Sequence, residues 1–203
     1  MLNNKLSLSA ILLAGGKSKR MGINKAFLKI GDRTFIDIIY QKMNELFSEI
    51  IVVTDVPQKI SHLKARITSD LLRKGEKNAL RGIHAGLSVA ANPACFVIGC
   101  DMPFLSISLI KYMSQFALDY DVVVPLLEGY FQPLFAFYNT RTLSLIEQSL
   151  KEERYKISDL YPHFHLKEIS EEIVKKHDPS LVSFTNINSP ADFRSIQKYL
   201  NII

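Results

Sequence analysis

Cysteine and tryptophan are scarce in this sequence, which has 203 residues, two cysteines and no tryptophan. At this length about 70% of the unfolded chain's surface can be buried, so no disulfide or metal is needed to hold a core together. Cys95 and Cys100 lie five residues apart in one apolar run, where alternation places them on opposite faces of a strand. We therefore expect two unpaired core thiols, a reducing compartment and a cytoplasmic protein.

Long apolar runs are missing as well. No stretch approaches the ~18 consecutive apolar residues of a membrane-spanning helix, so no membrane partner is expected. The apolar segment 6–14 follows a single nearby lysine, contains two serines and runs into a glycine pair. These features favour a buried first strand over a signal peptide.

Neither sign of charge dominates. The sequence has 25 Lys and Arg and 20 Asp and Glu, which gives a formal net charge of +5. Nearly neutral stretches separate the basic clusters. This pattern favours an anionic small substrate over a nucleic acid.

Hydrophobic residues make up 47% of the chain, and no repeat or Pro/Ser-rich linker divides it, so we predict one domain over residues 1–203. Short apolar runs alternate with helical patterns, which predicts an α/β fold with a mainly parallel (mixed) sheet covered by helices on both faces. Ligands of such sheets bind at the carboxyl ends of the strands. The predicted strands are Leu8–Leu13, Ile50–Thr54, Cys95–Cys100, Val122–Val124 and Leu134–Tyr138.

Helix starts are marked by capping residues. Thr34 with Asp37 three residues later predicts a capped helix, whose apolar stripe runs from Phe35 to Phe47. Ser106 predicts a second helix start. The pair Ser189-Pro190 predicts a terminal helix that continues through residue 200.

The segment after the first strand is rich in glycine and basic residues. Gly15 and Gly16 allow close approach of a ligand to the backbone, and six basic residues between Lys17 and Arg33 face one acid, Asp32. Backbone amides together with Lys and Arg can hold a triphosphate, although a solvated basic loop is the alternative. A P-loop is excluded, since it would require glycine where Ile11 stands. The glycines also lack the spacing of a dinucleotide fingerprint.

One carboxylate is placed to bind a metal. Asp101 follows an apolar strand, on the side of the sheet where the first loop would hold phosphates. Mg²⁺ is usually bound by one or two carboxylates together with phosphate oxygens and water, so Asp101 is a candidate ligand. Its alternative role is to cap a turn. The five histidines show no zinc-ligand spacing with cysteine.

Six segments spread along nearly the whole chain form a recognisable set. They are Leu13-Ala14-Gly15-Gly16-x-Ser18-x-Arg20-Met21-Gly22 with Lys25, Asp70, Gly82-Ile83-His84-Ala85-Gly86, Cys100-Asp101-Met102-Pro103, Gln132-Pro133-Leu134 and Asn186-Ile187-Asn188-Ser189-Pro190. In this order and spacing they resemble a known family, the nucleotidyltransferases that act on the molybdenum cofactor, and more closely molybdenum cofactor guanylyltransferase. The first loop alone is shared with cytidylyl and sugar-nucleotide enzymes, but Gly15-Gly16, where the cytidylyl relatives have Ala-Gly, favours guanine.

The resemblance implies roles for individual residues. It implies catalytic roles for Arg20, Lys25 and Asp101, and Mg²⁺ binding by Asp101. It implies a GTP contact for Asp70, whose carboxylate can accept hydrogen bonds from both N1–H and the exocyclic amine of guanine. The alternative is that Asp70 is a loop residue without a ligand role. The implied GTP-binding residues are Leu13, Ala14, Gly15, Lys25, Asp70 and Asp101. Asn186 and Asn188 are implied near the acceptor, with structural turn roles as the alternative.

The resemblance also implies an activity: transfer of GMP from GTP to the molybdopterin form of the cofactor, with release of pyrophosphate. The N-terminal part would bind the nucleotide and the C-terminal part the acceptor or partners, which include cofactor-biosynthesis proteins and recipient molybdoenzymes. Ile83 and Thr54 depart from the family pattern and leave the base contacts open. The alternatives are cytidylyl transfer to the same cofactor, nucleotidyl transfer to a sugar or polyol phosphate, and a nucleotide-binding adaptor without turnover.

Overall fold

The computed structural model describes residues 5–15, 24–69 and 78–187. 3₁₀ helices cover Lys25–Phe27, Pro57–Ile60, Thr140–Thr142, Ile157–His163 and Val182–Phe184. The strands are β1 (Leu6–Leu13), β2 (Lys29–Ile30), β3 (Arg33–Thr34), β4 (Phe47–Val53), β5 (Arg66–Thr68), β6 (Ala94–Gly99), β7 (Val122–Leu127), β8 (Tyr130–Phe131), β9 (Phe135–Asn139) and β10 (Leu166–Ile169). The helices are α1 (Phe35–Leu46), α2 (Ala79–Leu87), α3 (Ile107–Ser114), α4 (Leu143–Lys151) and α5 (Glu171–His177).

The main sheet has the strand order β10-β7-β9-β6-β1-β4-β5, with β8 pairing beside β7. β1 runs parallel to both β4 and β6, and β5 is parallel to β4. β9 is antiparallel to β6 and β7, while β10 is parallel to β7. The carboxyl ends of β1, β4, β5, β6, β7 and β10 therefore meet at one edge, and the mixed, mainly parallel sheet is confirmed.

Both faces of the sheet are covered. Ala10 and Leu12 of β1 pack into the core cluster that includes α1, α3 and α5, whereas Ile11 packs into the cluster with α2 and α4. Burial on both sides explains why the central strands are continuous apolar runs rather than alternating ones. The cysteines follow the same rule: Cys95 and Cys100 are buried, unpaired and in opposite clusters, as predicted.

The capped helix starts are confirmed where the structure describes them. The Thr34 Oγ1 accepts from the Asp37 amide at 3.3 Å, and the Asp37 carboxylate accepts from the Thr34 amide at 3.2 Å. Ser106 Oγ accepts from the amide three residues on, at 3.2 Å. The predicted terminal helix after Ser189-Pro190 lies outside the described residues.

The apolar stripe of α1 ends one residue earlier than predicted. The helix stops at Leu46, and Phe47 begins β4 with φ −108° and ψ 150°. The Phe47 ring stacks on Phe96 of β6, with centroids 5.8 Å apart and planes within 8°. Phe47 therefore packs as a strand residue of the sheet, which helical spacing alone does not reveal. No helix of the described residues is long and apolar enough to cross a membrane.

Candidate active site

The carboxyl ends of β1, β4 and β6 are tied together one residue beyond the strands. The Ala14 amide donates to the Val53 carbonyl at 2.9 Å, and the Cys100 amide donates to the Leu13 carbonyl at 3.1 Å. Ala14 is fully buried and Gly15 is exposed, so the chain reaches solvent at this edge. The edge thus presents the start of the predicted nucleotide loop, Leu13 to Gly15, beside the turn that carries Asp101.

Asn24 connects the Lys25 turn to the end of β1. Its side-chain amide donates to the Ala14 carbonyl at 3.0 Å, and its side-chain oxygen accepts from the Ala26 amide at 3.0 Å. Asn24 therefore caps the 3₁₀ turn and fixes it to the sheet edge. Sequence reasoning missed this residue, although an asparagine directly before a short polar-to-apolar turn is a capping signal.

Lys25 and Asp101 meet at this edge although 76 residues separate them. The Lys25 Nζ lies 3.2 Å from the Asp101 Oδ2, and the two side chains are 19% and 26% exposed. Partial burial strengthens their interaction relative to an exposed pair, while the remaining exposure leaves both open to a ligand. The two residues predicted to act together are in contact.

Gly99, the last residue of β6, makes room for the Asp101 carboxylate. A Cβ built on Gly99 would lie 2.8 Å from the Asp101 Oδ1 and 3.6 Å from the Leu134 Cδ1. The carboxylate therefore folds back over the bare glycine backbone, in a cradle that any side chain would fill. Sequence reasoning did not identify Gly99 as part of the site.

The Asp101 carboxylate suits a hard cation. Within the described ranges, no group of three or more His, Cys, Asp or Glu side chains forms a metal-binding cluster. A partly exposed carboxylate next to Lys25 matches the way Mg²⁺ is bound, through one or two carboxylates plus phosphate oxygens and water. The donor set fits a magnesium ion that arrives with a phosphate ligand.

A segment from the far end of the chain joins the site. The Ile187 amide donates to the Asp101 backbone carbonyl at 3.0 Å, and the Ile187 side chain is fully buried. It packs in a small apolar cluster with Phe35, Phe104 and Val182. Asn186, the exposed neighbour of Ile187, is thereby held beside the Asp101 turn.

Three predicted site residues, Arg20, Asp70 and Asn188, lie outside the described residues. The two departures from the family pattern are structural in the described part. Ile83 is a fully buried residue of α2 that packs into the core. Thr54 is 3% exposed, and its hydroxyl accepts from the Val56 amide at 3.3 Å.

The Cys100 thiol beside Asp101 is not a nucleophile. Burial, and after it the negative charge of Asp101, raises the pKa of Cys100 to about 12. The thiol is therefore protonated near neutral pH, and thiolate chemistry at this edge is excluded.

At this edge of the sheet the Lys25 ammonium and the Asp101 carboxylate lie beside the carboxyl ends of the strands. This arrangement suits phosphoryl chemistry on a nucleotide. Residues 10–165 match the family described as the MobA-like NTP transferase domain. The protein class is thus a nucleotidyltransferase, a class that generally works with a divalent metal. The chain belongs to the MobA-like NTP transferase family.

Relatives extend the match over nearly the whole chain. A protein of Natranaerobius thermophilus named probable molybdenum cofactor guanylyltransferase is 35% identical over 96% of this chain and 97% of its own length. A protein of Pelotomaculum thermopropionicum with the same name is 37% identical over 92% of this chain and 90% of its own. The solved structure of molybdopterin-guanine dinucleotide biosynthesis protein A from Archaeoglobus fulgidus superposes with a TM-score of 0.84 at 22% identity, covering 97% of this chain and 100% of that chain.

Proposed function

We propose that this chain transfers GMP from GTP to the molybdopterin form of the molybdenum cofactor, producing the guanine dinucleotide cofactor and pyrophosphate. The observation that carries the proposal is the 3.2 Å contact between Lys25 and Asp101 at the carboxyl edge of the sheet. A cation and a metal-binding carboxylate side by side are what a polyphosphate requires. The names of the relatives support guanine and molybdopterin as the two substrates.

The proposed chemistry needs no covalent enzyme intermediate. An oxygen of the acceptor's terminal phosphate attacks the α-phosphorus of GTP, a new P–O bond forms, and the bond to pyrophosphate breaks. Asp101 would hold Mg²⁺, which supplies charge neutralisation on the phosphate oxygens when bound. Lys25, together with Arg20 of the basic loop, places positive charge beside the same oxygens, so that the protein contributes alignment and electrostatic stabilisation.

The proposed arrangement assigns the nucleotide to the N-terminal part of the chain. Leu13, Ala14 and Gly15 would contact GTP at the end of β1. The Asp70 carboxylate would recognise guanine by accepting hydrogen bonds from its N1–H and its exocyclic amine. The acceptor would lie toward the C-terminal part, beside Asn186 and Asn188. The hydrogen bond from the Ile187 amide to the Asp101 carbonyl supports this proposal, because Asn186 is the chain neighbour of Ile187.

The proposal also covers the proteins that receive the product and the compartment in which the protein works. The dinucleotide cofactor must pass to a protein that uses or inserts it, so cofactor-biosynthesis proteins and recipient molybdoenzymes stay predicted partners. The two free cysteines support a reducing compartment, and the cytoplasm stays the predicted one.

The test is pyrophosphate release from GTP and molybdopterin cofactor, titrated with Mg²⁺, for the wild type and Asp101→Asn. The amide keeps the shape of the side chain but loses the charge that binds the cation, so turnover should fall by orders of magnitude while the protein stays folded. Asp119→Asn is the matched control, since Asp119 is exposed and precedes β7 at the opposite edge of the sheet.

Near-normal turnover and an unchanged Mg²⁺ midpoint in Asp101→Asn would show that Asp101 only caps a turn. Replacing GTP with CTP or ATP, and the cofactor with sugar phosphates, separates guanylyl transfer from the related reactions. Nucleotide binding without pyrophosphate release would identify an adaptor instead of an enzyme.

A further inference from the structure

Two buried tyrosines are in contact on the face of the sheet that α2 and α4 cover. Tyr138 of β9 is fully buried, and Tyr161, in the 3₁₀ helix Ile157–His163, is 4% exposed. Both pack in the core cluster that includes α2 and α4. Their hydroxyl oxygens lie 3.2 Å apart, and the Tyr138 Oη also lies 2.9 Å from the Pro133 carbonyl oxygen.

The direction of these two hydrogen bonds follows from the number of protons. A carbonyl oxygen can only accept, so the single Tyr138 hydroxyl proton is donated to Pro133. The Tyr161 hydroxyl is therefore the donor to the Tyr138 oxygen. Burial raises the pKa of Tyr161 to about 12 and raises the pKa of Tyr138 well above its usual value, so both hydroxyls keep their protons near neutral pH.

The Pro133 carbonyl belongs to the middle peptide group of a tight turn. The Phe135 amide donates to the Gln132 carbonyl at 3.0 Å, so residues 132–135 form a β-turn with Pro133 and Leu134 at its centre. The motif segment Gln132-Pro133-Leu134 is thus a turn that leads into β9. The Tyr138 hydroxyl fixes the orientation of the peptide group that joins Pro133 to Leu134.

The same turn borders the Asp101 carboxylate. The Gly99 amide donates to the Leu134 carbonyl at 3.3 Å. A Cβ built on Gly99 would have the Asp101 Oδ1 at 2.8 Å and the Leu134 Cδ1 at 3.6 Å, so the carboxylate and the leucine side chain border one small space over the glycine. Gly99 stands two residues after Val97 in β6, so this space lies on the same face of the sheet as Val97 and Tyr138.

We infer that Tyr138, supported by Tyr161, is a positioning residue for the Asp101 carboxylate. Its hydroxyl holds the turn, the turn holds Leu134 beside Gly99, and the leucine side chain limits the directions in which the carboxylate can swing. The inference rests on the proposed function, in which Asp101 binds Mg²⁺ together with the phosphates of GTP. Groups in such sites need placement within about 0.5 Å, which depends on the residues that pack behind them.

The experiment measures GTP binding to the full chain by calorimetry, once with Mg²⁺ and once with EDTA, and needs no turnover. The ratio of the two affinities reports how strongly Mg²⁺ links the nucleotide to the protein. Tyr138→Phe keeps the ring and removes the hydroxyl, so this ratio should fall on the order of fivefold, the typical effect of one lost hydrogen bond. The GTP affinity in EDTA should stay at the wild-type value. Tyr161→Phe leaves the bond to Pro133 in place and should change the ratio by less than about twofold.

Thr142→Val is the matched control. The Thr142 hydroxyl is also buried and also donates to a backbone carbonyl, that of Asn139 at 2.7 Å, but it lies at the other end of β9. Both variants should lose stability in urea unfolding, and only Tyr138→Phe should change the ratio. In the background of Asp101→Asn, Tyr138→Phe should have no further effect on the ratio, because the charge that it positions is gone.

An unchanged ratio in Tyr138→Phe, or an equal change in Thr142→Val, overturns the positioning role while the wild-type ratio still supports the metal site. An effect of Tyr138→Phe that persists undiminished in the Asp101→Asn background overturns it as well. A wild type that shows the Mg²⁺ effect but releases no pyrophosphate from GTP and molybdopterin overturns the proposed function and leaves the positioning role standing. A wild type whose GTP affinity does not depend on Mg²⁺ overturns both.

Discussion

Gly99→Ala is the sharpest perturbation that the site offers, because it changes one methyl group and leaves both proposed functional side chains in the sequence. Among the described residues, positive φ values of glycine occur only at Gly31 and Gly129, so the Gly99 backbone suits alanine. The added Cβ would lie 2.8 Å from the Asp101 Oδ1, and the contact with Leu134 at 3.6 Å is ordinary. The carboxylate of Asp101 is therefore the group that has to move.

The distance sets the expected size of the effect. To recover an ordinary contact, the Asp101 Oδ1 must retreat from 2.8 Å to at least 3.4 Å, a movement of about 0.6 Å. Functional groups need placement within about 0.5 Å, and a 1 Å error costs about 10²-fold in rate. We expect kcat to fall between about 10- and 100-fold, with a higher Mg²⁺ midpoint. The free energy of unfolding should change by less than about 1 kcal/mol, since alanine also restricts the unfolded chain.

The assay combines an Mg²⁺ titration of pyrophosphate release with urea unfolding of the same preparation. Gly86→Ala provides the contrast, because its Cβ would lie 2.5 Å from Ile11 in the core, far from the carboxylate. That variant should lose stability and keep the Mg²⁺ midpoint. Wild-type turnover and an unchanged midpoint in Gly99→Ala would refute the idea that the bare glycine sets the position of Asp101.

Three further results are expected. Lys25→Ala should weaken GTP binding by roughly 1.5–3 kcal/mol, measured by calorimetry, because a charge-assisted contact is lost; a large change in melting with unchanged GTP affinity would contradict the role beside Asp101. Thr34→Ala should lower the free energy of unfolding by about 1 kcal/mol through loss of the capping box, with turnover unchanged as the check on a purely structural role. Burial alone would raise the pKa of Asp37, but hydrogen bonds from His62 and Thr34 outweigh it and lower the pKa. Its stabilisation is therefore present above the unfolded value of about 3.9 and lost as pH falls through the folded value, so the stability advantage over Asp37→Asn should shrink in urea unfolding below about pH 4.

The local features of the fold follow from the sequence, because short-range interactions decide them. The apolar run ending at Gly99 predicts a strand buried on both faces, and the structure has β6 there. Thr34 and Ser106 predict helix starts because a cap bonds to an amide only three residues away. Lys25 and Asp101 can be named from motifs, since both stand at recognisable positions next to a strand or glycine loop.

Long-range packing decided the rest. Local patterns do not state the direction of a strand, so the antiparallel course of β9 between β6 and β7 emerges only from their pairing. The short strand β10 is held by its partner β7 rather than by its own composition. The contact of Lys25 with Asp101, the bond from Asn24 to the end of β1 and the cradle at Gly99 each join segments through space. A sequence encodes such contacts only through the combined packing of all its elements, because the free energy that brings distant segments together belongs to the whole core.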